Sequence, residues 1–451
     1  MDLEQTITFL EQHGMRKVKL SGVDLDGILR GKYVSLDKFT SAAKNGFGFC
    51  DVIFGWDCQD VTYDFPTFTG WHTGYPDTLA RVDLSTFRMI PWEPGTAWFL
   101  CDFWHDRETP LPVCPRNLLK RVNAEAEGMG FRAKASVEYE FWIFRETPHT
   151  LEEKGYRNLV PLSPGSFGYS VLRASENARL VHDLMDACTA LDIGLEGIHT
   201  ETGPGVYEAA IAVQDVVEAA DRASLFKHLV KEVASRYECV ATFMARWSPQ
   251  QAGSSGHAHQ SLWDAAGEHN CFADAAGERG VSATLRHYLA GLVALMPEVM
   301  PLVCPTINSF KRTVPGYWAP TSATWGWENR TAALRVIPGP TPSATRIEHR
   351  LAGADANPYL ALAAGLACGL HGIREQLEPP PPITGNAYES DACPLPRSLE
   401  EATAAFRSSA AARNLFGESF VDHFAGSRDW EVREFRKAVT DWELRRYFET
   451  I

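Results

Sequence analysis

Glu138 and Glu140 stand two residues apart in KASVEYEFWIF (134–144), a segment whose composition predicts a strand. Period two puts both carboxylates on one face, about 7 Å apart along the strand. Trp142 and Phe144 share that face, so it reads as the acidic lining of a cleft rather than a solvated strand surface. A second group, Glu196, His199, Glu201 and Glu208, lies in LEGIHTETGPGVYEAAIA (195–212). Its Gly203-Pro204-Gly205 turn can fold Glu201 and Glu208 back onto one site. His199-Thr-Glu201 also matches half of a zinc-deaminase signature, but the Pro-Cys-x-x-Cys half is missing. A third group is His257 and His259 in GHAHQS (256–261), and a fourth is Arg346, Glu348 and Arg350 in RIEHR (346–350). Taken singly, these are two satisfied surface histidines and an exposed charge ladder. Taken together, they are four strand-like segments offering hard oxygen donors or an imidazole, a set that suits Mg²⁺ or Mn²⁺ better than a structural zinc. Residues 311–350 hold six cations (Lys311, Arg312, Arg330, Arg335, Arg346, Arg350) against Glu328 and Glu348, a net of +4. Arginine forks recognise phosphate and carboxylate. Metals beside arginines imply chemistry on phosphates.

The elements that must position these groups follow from periodicity. A helix is predicted over 2–13 and two strands, 18–20 and 28–34, around the turn Asp24–Gly27. Residues 45–105 are rich in aromatics and turn residues and read as strand and loop. Pro110, Pro112 and Pro115 mark a boundary near residue 108, followed by a helix over 116–129. Strands at 133–144, 194–200, 206–213, 240–245 and 257–263 then alternate with helices at 175–192, 218–235 and 281–299. Tyr359–Leu370 reads as a buried helix, 379–396 as a surface loop, and 398–412 and 430–449 as helices. This is an α+β chain with a small N-terminal domain (1–107) before a large one (108–451).

Composition bounds the rest. The 451 residues carry a net charge of −14, which argues against a nucleic-acid partner. No signal peptide or spanning stretch is visible, so no membrane is expected. Ten dispersed cysteines without a CxxC pair fit reduced thiols in a cytoplasm. No GxGxxG or GxxxxGK[ST] occurs, so any nucleotide is held without those loops.

The run Asn308-Ser-Phe-Lys-Arg-Thr-Val-Pro-Gly-Tyr-Trp-Ala-Pro320, with the motifs above, Asn329-Arg-Thr-Ala and Asn357-Pro-Tyr, resembles the glutamine synthetase family over nearly the whole chain. The resemblance implies an N-terminal β-grasp domain and a catalytic domain with a curved antiparallel sheet. It implies two or more divalent metals (Mg²⁺ or Mn²⁺) per site, one held by Glu140, Glu201 and Glu208, the other by Glu138, His257 and Glu348. It puts Glu196, His259, Ser261, Arg335 and Arg346 at ATP, and His199, Gly253, Arg312, Arg330 and Arg350 at glutamate or phosphate. Arg312 and Arg330 are expected to be catalytic. Homo-oligomeric rings are implied, a dodecamer of two hexamers, with each site between two subunits.

The sequence departs from the family at the amine. Family flaps read P-G-Y-E-A-P, and the glutamate helps bind and deprotonate ammonium; here Trp318 takes its place. Asp51 is the candidate for the acidic residue that the neighbouring subunit supplies, and Ser343 stands where a Lys near the nucleotide is frequent. Trp318, with Trp325, Trp327 and the neighbour's Phe54 or Trp56, could wall an apolar amine pocket. The expected activity is a glutamate–amine ligase, joining the γ-carboxylate of glutamate to an alkyl- or arylamine through γ-glutamyl phosphate. The alternatives are an ammonia-using glutamine synthetase and a non-catalytic ring-forming paralogue. Tyr388 lies in a loop whose longer family counterpart carries an adenylylated Tyr in some enzymes.

Overall fold

The computed structural model describes residues 2–65 and 68–451. Pro66 and Thr67, part of the aromatic stretch 45–105, lie outside the described residues. The first sheet contains β1 (Lys17–Val23), β2 (Leu29–Ser35), β3 (Phe47–Cys50), β4 (Asp77–Met89) and β5 (Thr96–Trp104), ordered β2-β1-β5-β4-β3. β1 runs parallel to β5, and the other neighbours are antiparallel. The β1–β2 turn falls at Asp24–Gly27. Asp24 Oδ1 accepts the Asp26 and Ile28 N–H groups, and Gly27 takes φ +80°, a conformation open to glycine at little cost.

The second sheet is curved and carries the chemistry. Its strands are β6 (Phe131–Phe144), β7 (Leu195–Thr200), β8 (Val206–Ile211), β9 (Gln214–Asp215), β10 (Val240–Thr242), β11 (Gly256–Asp264), β12 (Trp325–Trp327), β13 (Leu334–Ile337) and β14 (Arg346–His349). The order is β12-β13-β14-β11-β6-β8-β7, with β9 and β10 pairing on β6. Only β12–β13 is parallel. Along β6, Ala133, Ala135, Val137, Tyr139 and Phe141 are buried, packed towards the helices Pro115–Gly128 and Val216–Ser235. The even-numbered residues between them open on the opposite face, which is what period-two alternation requires. Tyr359–Leu370 lies within the buried helix Pro358–Arg374. Among the described residues no helix is long and apolar enough to cross a membrane.

Three predicted helices are each interrupted. The stretch 175–192 splits at Asn177, whose amide donates to Ser163 Oγ at 2.9 Å. The stretch 398–412 splits at Ser409, whose hydroxyl caps Ala412 N–H. The predicted 430–449 helix is the end of Glu418–Lys437 and then Asp441–Tyr447, restarted by a Thr440–Glu443 capping box.

Buried charges tie the first sheet to the rest. Arg116 reaches Asp102 at 2.6 Å, Asp83 at 2.9 Å and both oxygens of Asp221 at 2.8 Å, and Tyr359 donates to Asp221. Arg428 bonds Asp26 at 2.7 Å and the Pro305 carbonyl. His423, fully buried, meets the Phe54 carbonyl at 2.8 Å. Burial holds His423 down to about 4, against the bond to Phe54, with Arg428 adding to the depression. The folded chain therefore keeps a neutral ring while the unfolded chain binds a proton below about 6.5. Stability is full above that pH and falls as the pH drops towards 4, by up to about 3 kcal/mol from this residue. His423→Gln, which keeps an N–H donor, is expected to flatten the loss of melting temperature between pH 7 and 4.5. An unchanged pH slope would count against this assignment.

Candidate active site

Register converts the sequence motifs into rows across the sheet. Arg335, Glu348 and His259 face one another on β13, β14 and β11. His257 pairs with Glu138 on β6, and Glu140, Glu208 and His199 run across β6, β8 and β7. Glu201 follows at the end of β7, its N–H bonded to the Val206 carbonyl across the Gly203–Gly205 turn. Paired residues on neighbouring strands share a face, so six strands contribute to one polar floor.

Two groups on that floor are close enough to hold a cation: Glu138 with His259 and Glu348, and His199 with Glu201 and Glu208, each with ligand atoms within 4.8 Å. His257 Nδ1 stands 3.3 Å from Glu348 and 3.8 Å from Glu138, and His259 Nε2 is 3.2 Å from Glu138. The partners of the two rings differ. Arg346 Nε donates to His259 Nδ1 at 3.2 Å, while the buried Nε2 of His259, 3.2 Å from Glu138, makes no hydrogen bond among the described residues. Burial and Arg350 lower the His257 pKa against the pull of Glu138, Glu348 and Glu140, and its Nδ1 faces two of those carboxylates. By distance His259 belongs to the cluster, and His257 Nδ1 lies against the same two carboxylates, Glu348 and Glu138.

The electrostatics fit a divalent ion. Burial raises the Glu138 carboxyl, but His257 and His259 outweigh it and leave it far below its usual range. Glu348, 1% exposed, is likewise raised by burial and brought to about 2 by His257, Arg350 and His259. Glu208 goes the other way. Burial, then Glu140, Glu138, Glu201 and Glu348, push it to about 9. Five carboxylates in one hollow cannot all be anionic without added positive charge, and oxygens with one imidazole are donors for Mg²⁺ or Mn²⁺.

The arginines frame the floor. Arg350 pairs with Glu348 and donates to the Arg330 carbonyl at 3.1 Å; Arg335 bonds Glu348 at 3.0 Å and also pairs with Glu328. Arg330 is exposed. Arg312 is buried, its fork spent on the carbonyls of Leu351 and Arg350 at 2.9 and 3.0 Å. Gly253 backs it closely, because a Cβ there would come within 2.5 Å of the Arg312 side chain. Ser261 follows His257 and His259 on the same face of β11, and Glu196 is exposed near the start of β7.

Residues 112–447 match the family described as glutamine synthetase, catalytic domain. The chain belongs to the glutamine synthetase family. Type-1 glutamine synthetase 2 of Dictyostelium discoideum is 48% identical over 96% of this chain and 84% of its own. Glutamate–isopropylamine ligase of a Pseudomonas species is 40% identical over 98% and 97%. The solved structure of the GmaS/ADP complex matches at TM-score 0.86 with 30% identity, over 99% of both chains.

Other residues singled out in family terms lie off the floor or turn away from it. Asp51 belongs to the first sheet, in the turn after β3. It is buried, and Oδ1 has no hydrogen-bond partner among the described residues; burial, with Asp77, raises its carboxyl. Trp325 is buried, and its indole N–H bonds the Pro380 carbonyl at 2.6 Å, so it packs rather than lines a pocket. Phe54 is a core residue against Phe103 and Phe68. Trp56 carries Arg30 over its ring, and Trp327 carries Arg279. Ser343 is exposed and pairs with Thr341. Trp318 alone of these aromatics is open, 63% exposed at the flap tip.

One feature beside the floor carries no sequence signal. Tyr169 stacks on His199 at 4.3 Å and 8°, is exposed, and holds φ +57° through an N–H bond to Thr200. A single tyrosine in the loop after Gly168 has no period or partner by which to be read.

Proposed function

We propose that this chain is an ATP-dependent ligase that joins the γ-carboxylate of glutamate to an organic amine. The carrying observation is Trp318: the flap position that holds a carboxylate in ammonia-using family members presents an open indole here. The 40% identity to an isopropylamine ligase supports the same reading.

Glu140, Glu201 and Glu208 would hold one divalent metal and Glu138, His257 and Glu348 a second, ions that when bound neutralise phosphate charge. Glu196, His259, Ser261, Arg335 and Arg346 are assigned to ATP. Arg330 and Arg350, with His199, are assigned to glutamate and the transferring phosphoryl group. Arg312 and Gly253 set the backbone on which Arg350 sits. The γ-carboxylate attacks the γ-phosphorus of ATP, and ADP leaves with the bond electrons. Both reactants are anionic, so Arg330 and Arg350 contribute by stabilising charge that develops in transfer. The amine then attacks the carbonyl of γ-glutamyl phosphate; phosphate leaves and the nitrogen loses a proton. An arylamine, mostly unprotonated at neutral pH, needs least help from a base. Asp51 of a neighbouring subunit is the proposed acidic partner for more basic amines.

We further assign residues 1–107 and 108–451 to two domains and the working form to a dodecamer of two hexameric rings. The ten free cysteines fit a cytoplasmic location.

The test is ADP release with glutamate, ATP and a panel of ammonium, alkylamines, ethanolamine, polyamines and anilines. At least one organic amine is expected to exceed ammonium in kcat/KM by about tenfold or more, the worth of one or two buried methylenes. Ammonium exceeding every organic amine would instead establish an ordinary glutamine synthetase, the reading that the Dictyostelium relative's name favours.

A further inference from the structure

The segment 379–395 is a strap tied down on both sides of Tyr388. Before it, Ile383 N–H donates to the Trp325 carbonyl at 2.8 Å, and Asn329 Nδ2 donates to Gly385 at 2.9 Å. Ala387 N–H meets Thr331 Oγ1 at 2.9 Å. After it, Ala323 N–H donates to Cys393 at 2.9 Å and Leu395 N–H to Thr321 at 3.0 Å. These partners, 321–331, continue directly from the flap. Tyr388 itself is half-buried, with its N–H capped by Asn386 Oδ1 at 3.2 Å. Its hydroxyl donates to the carbonyl of Ala319 at 3.1 Å. Ala319 is the residue after Trp318.

The flap backbone needs such a hold. Trp318 sits at φ +59° and Gly316 at φ +85°. A tryptophan in the left-handed region persists only where its surroundings impose it. The phenol oxygen also faces the backbone of Gly316 and Trp318, and lies in the field of Arg350 and Arg312. Burial raises its pKa above the ordinary value, so it stays a donor in the working range. The strap supplies the rigid base, and the tyrosine supplies a side-chain hydroxyl that reaches from it to the flap.

We infer that Tyr388 is a latch, a positioning residue whose hydroxyl fixes the Ala319 carbonyl and so aims Trp318 over the amine. The inference rests on the ligase reading above. A latched flap has a second consequence. It keeps water from the carbonyl of γ-glutamyl phosphate; where water attacks, the bond to phosphate breaks, glutamate returns and no amide forms.

Tyr388→Phe keeps the ring and removes the hydroxyl. In the assembled enzyme its KM for the amine is expected to rise three- to tenfold, the range of one hydrogen bond. KM for ATP should stay at the wild-type value. The ratio of ADP released to amide formed should rise above one, and deuterium uptake across 313–319 should quicken in substrate-free enzyme. Asn386→Ala, which loosens the tyrosine from behind, should move the same readouts in the same direction and carries the test if Tyr388→Phe misfolds. Wild-type amine KM, a ratio of one and unchanged uptake would overturn the latch. The uptake measurement needs no substrate, and wild-type turnover with the amine panel judges the ligase reading separately.

Discussion

Glu140→Gln is expected to lower glutamate-dependent ADP release by about a thousandfold, the upper range for losing one group that stabilises transferring charge. Assembly and melting temperature should remain near those of the wild type. Glu140 lies opposite Glu208 in register, and its Oε2 accepts the Ser255 N–H at 2.5 Å. The amide substitution preserves that acceptor, so the structural bond is kept while the negative charge is removed. Glu140→Ala loses both, and leaves a buried N–H unpaired at a cost of about 1–3 kcal/mol. The alanine variant should therefore be as inactive and less stable. The charge effect has a definite sign. Glu140 is the largest of the carboxylates that raise Glu208. Removing it relieves repulsion in metal-free protein and weakens the gain in melting temperature on adding Mg²⁺ or Mn²⁺. Turnover within tenfold of wild type, or an undiminished metal-dependent rise in melting temperature, would remove Glu140 from the metal site.

The floor was largely legible in the sequence because strand chemistry has a period of two. Glu138 with Glu140, His257 with His259, and Arg346 with Glu348 and Arg350 each declare a face, and register alone must then bring the faces together. What periodicity cannot give is where a side chain's polar atoms are spent. Arg312 and Trp325 sit in the right motifs, yet both are committed to backbone carbonyls. Phe54, a candidate wall of the amine pocket in the sequence, is core. The helix breaks at Asn177, Ser409 and Thr440 escaped for a related reason. Each polar residue fits a helix locally and is drawn out of it by a distant or capping bond. Long-range loop contacts, such as Tyr388 with Ala319 across 69 residues, leave no local trace at all.

Trp318→Glu should reverse the preference between amines. The indole is the open aromatic at the flap tip, 63% exposed in the chain, so its apolar area is available to cover a ligand rather than already spent on the core. Covering an amine's carbon body with a ring of that size is worth about 2 kcal/mol at the usual transfer value, or about thirtyfold in kcat/KM. The variant loses this term with organic amines. It gains an anionic partner that a small hydrated ammonium ion lacks in the wild type, one without any apolar requirement. Organic amine kcat/KM is therefore expected to fall about thirtyfold while that for ammonium rises, inverting their ratio. Trp318→Phe, which keeps an apolar ring, should retain most of the organic preference. Trp, Glu and Phe all carry a Cβ and meet the same penalty at the left-handed φ of +59°, so the comparison isolates the side chain. A glutamate variant that loses organic amines and ammonium equally would mean that Trp318 holds the flap together and does not select the amine.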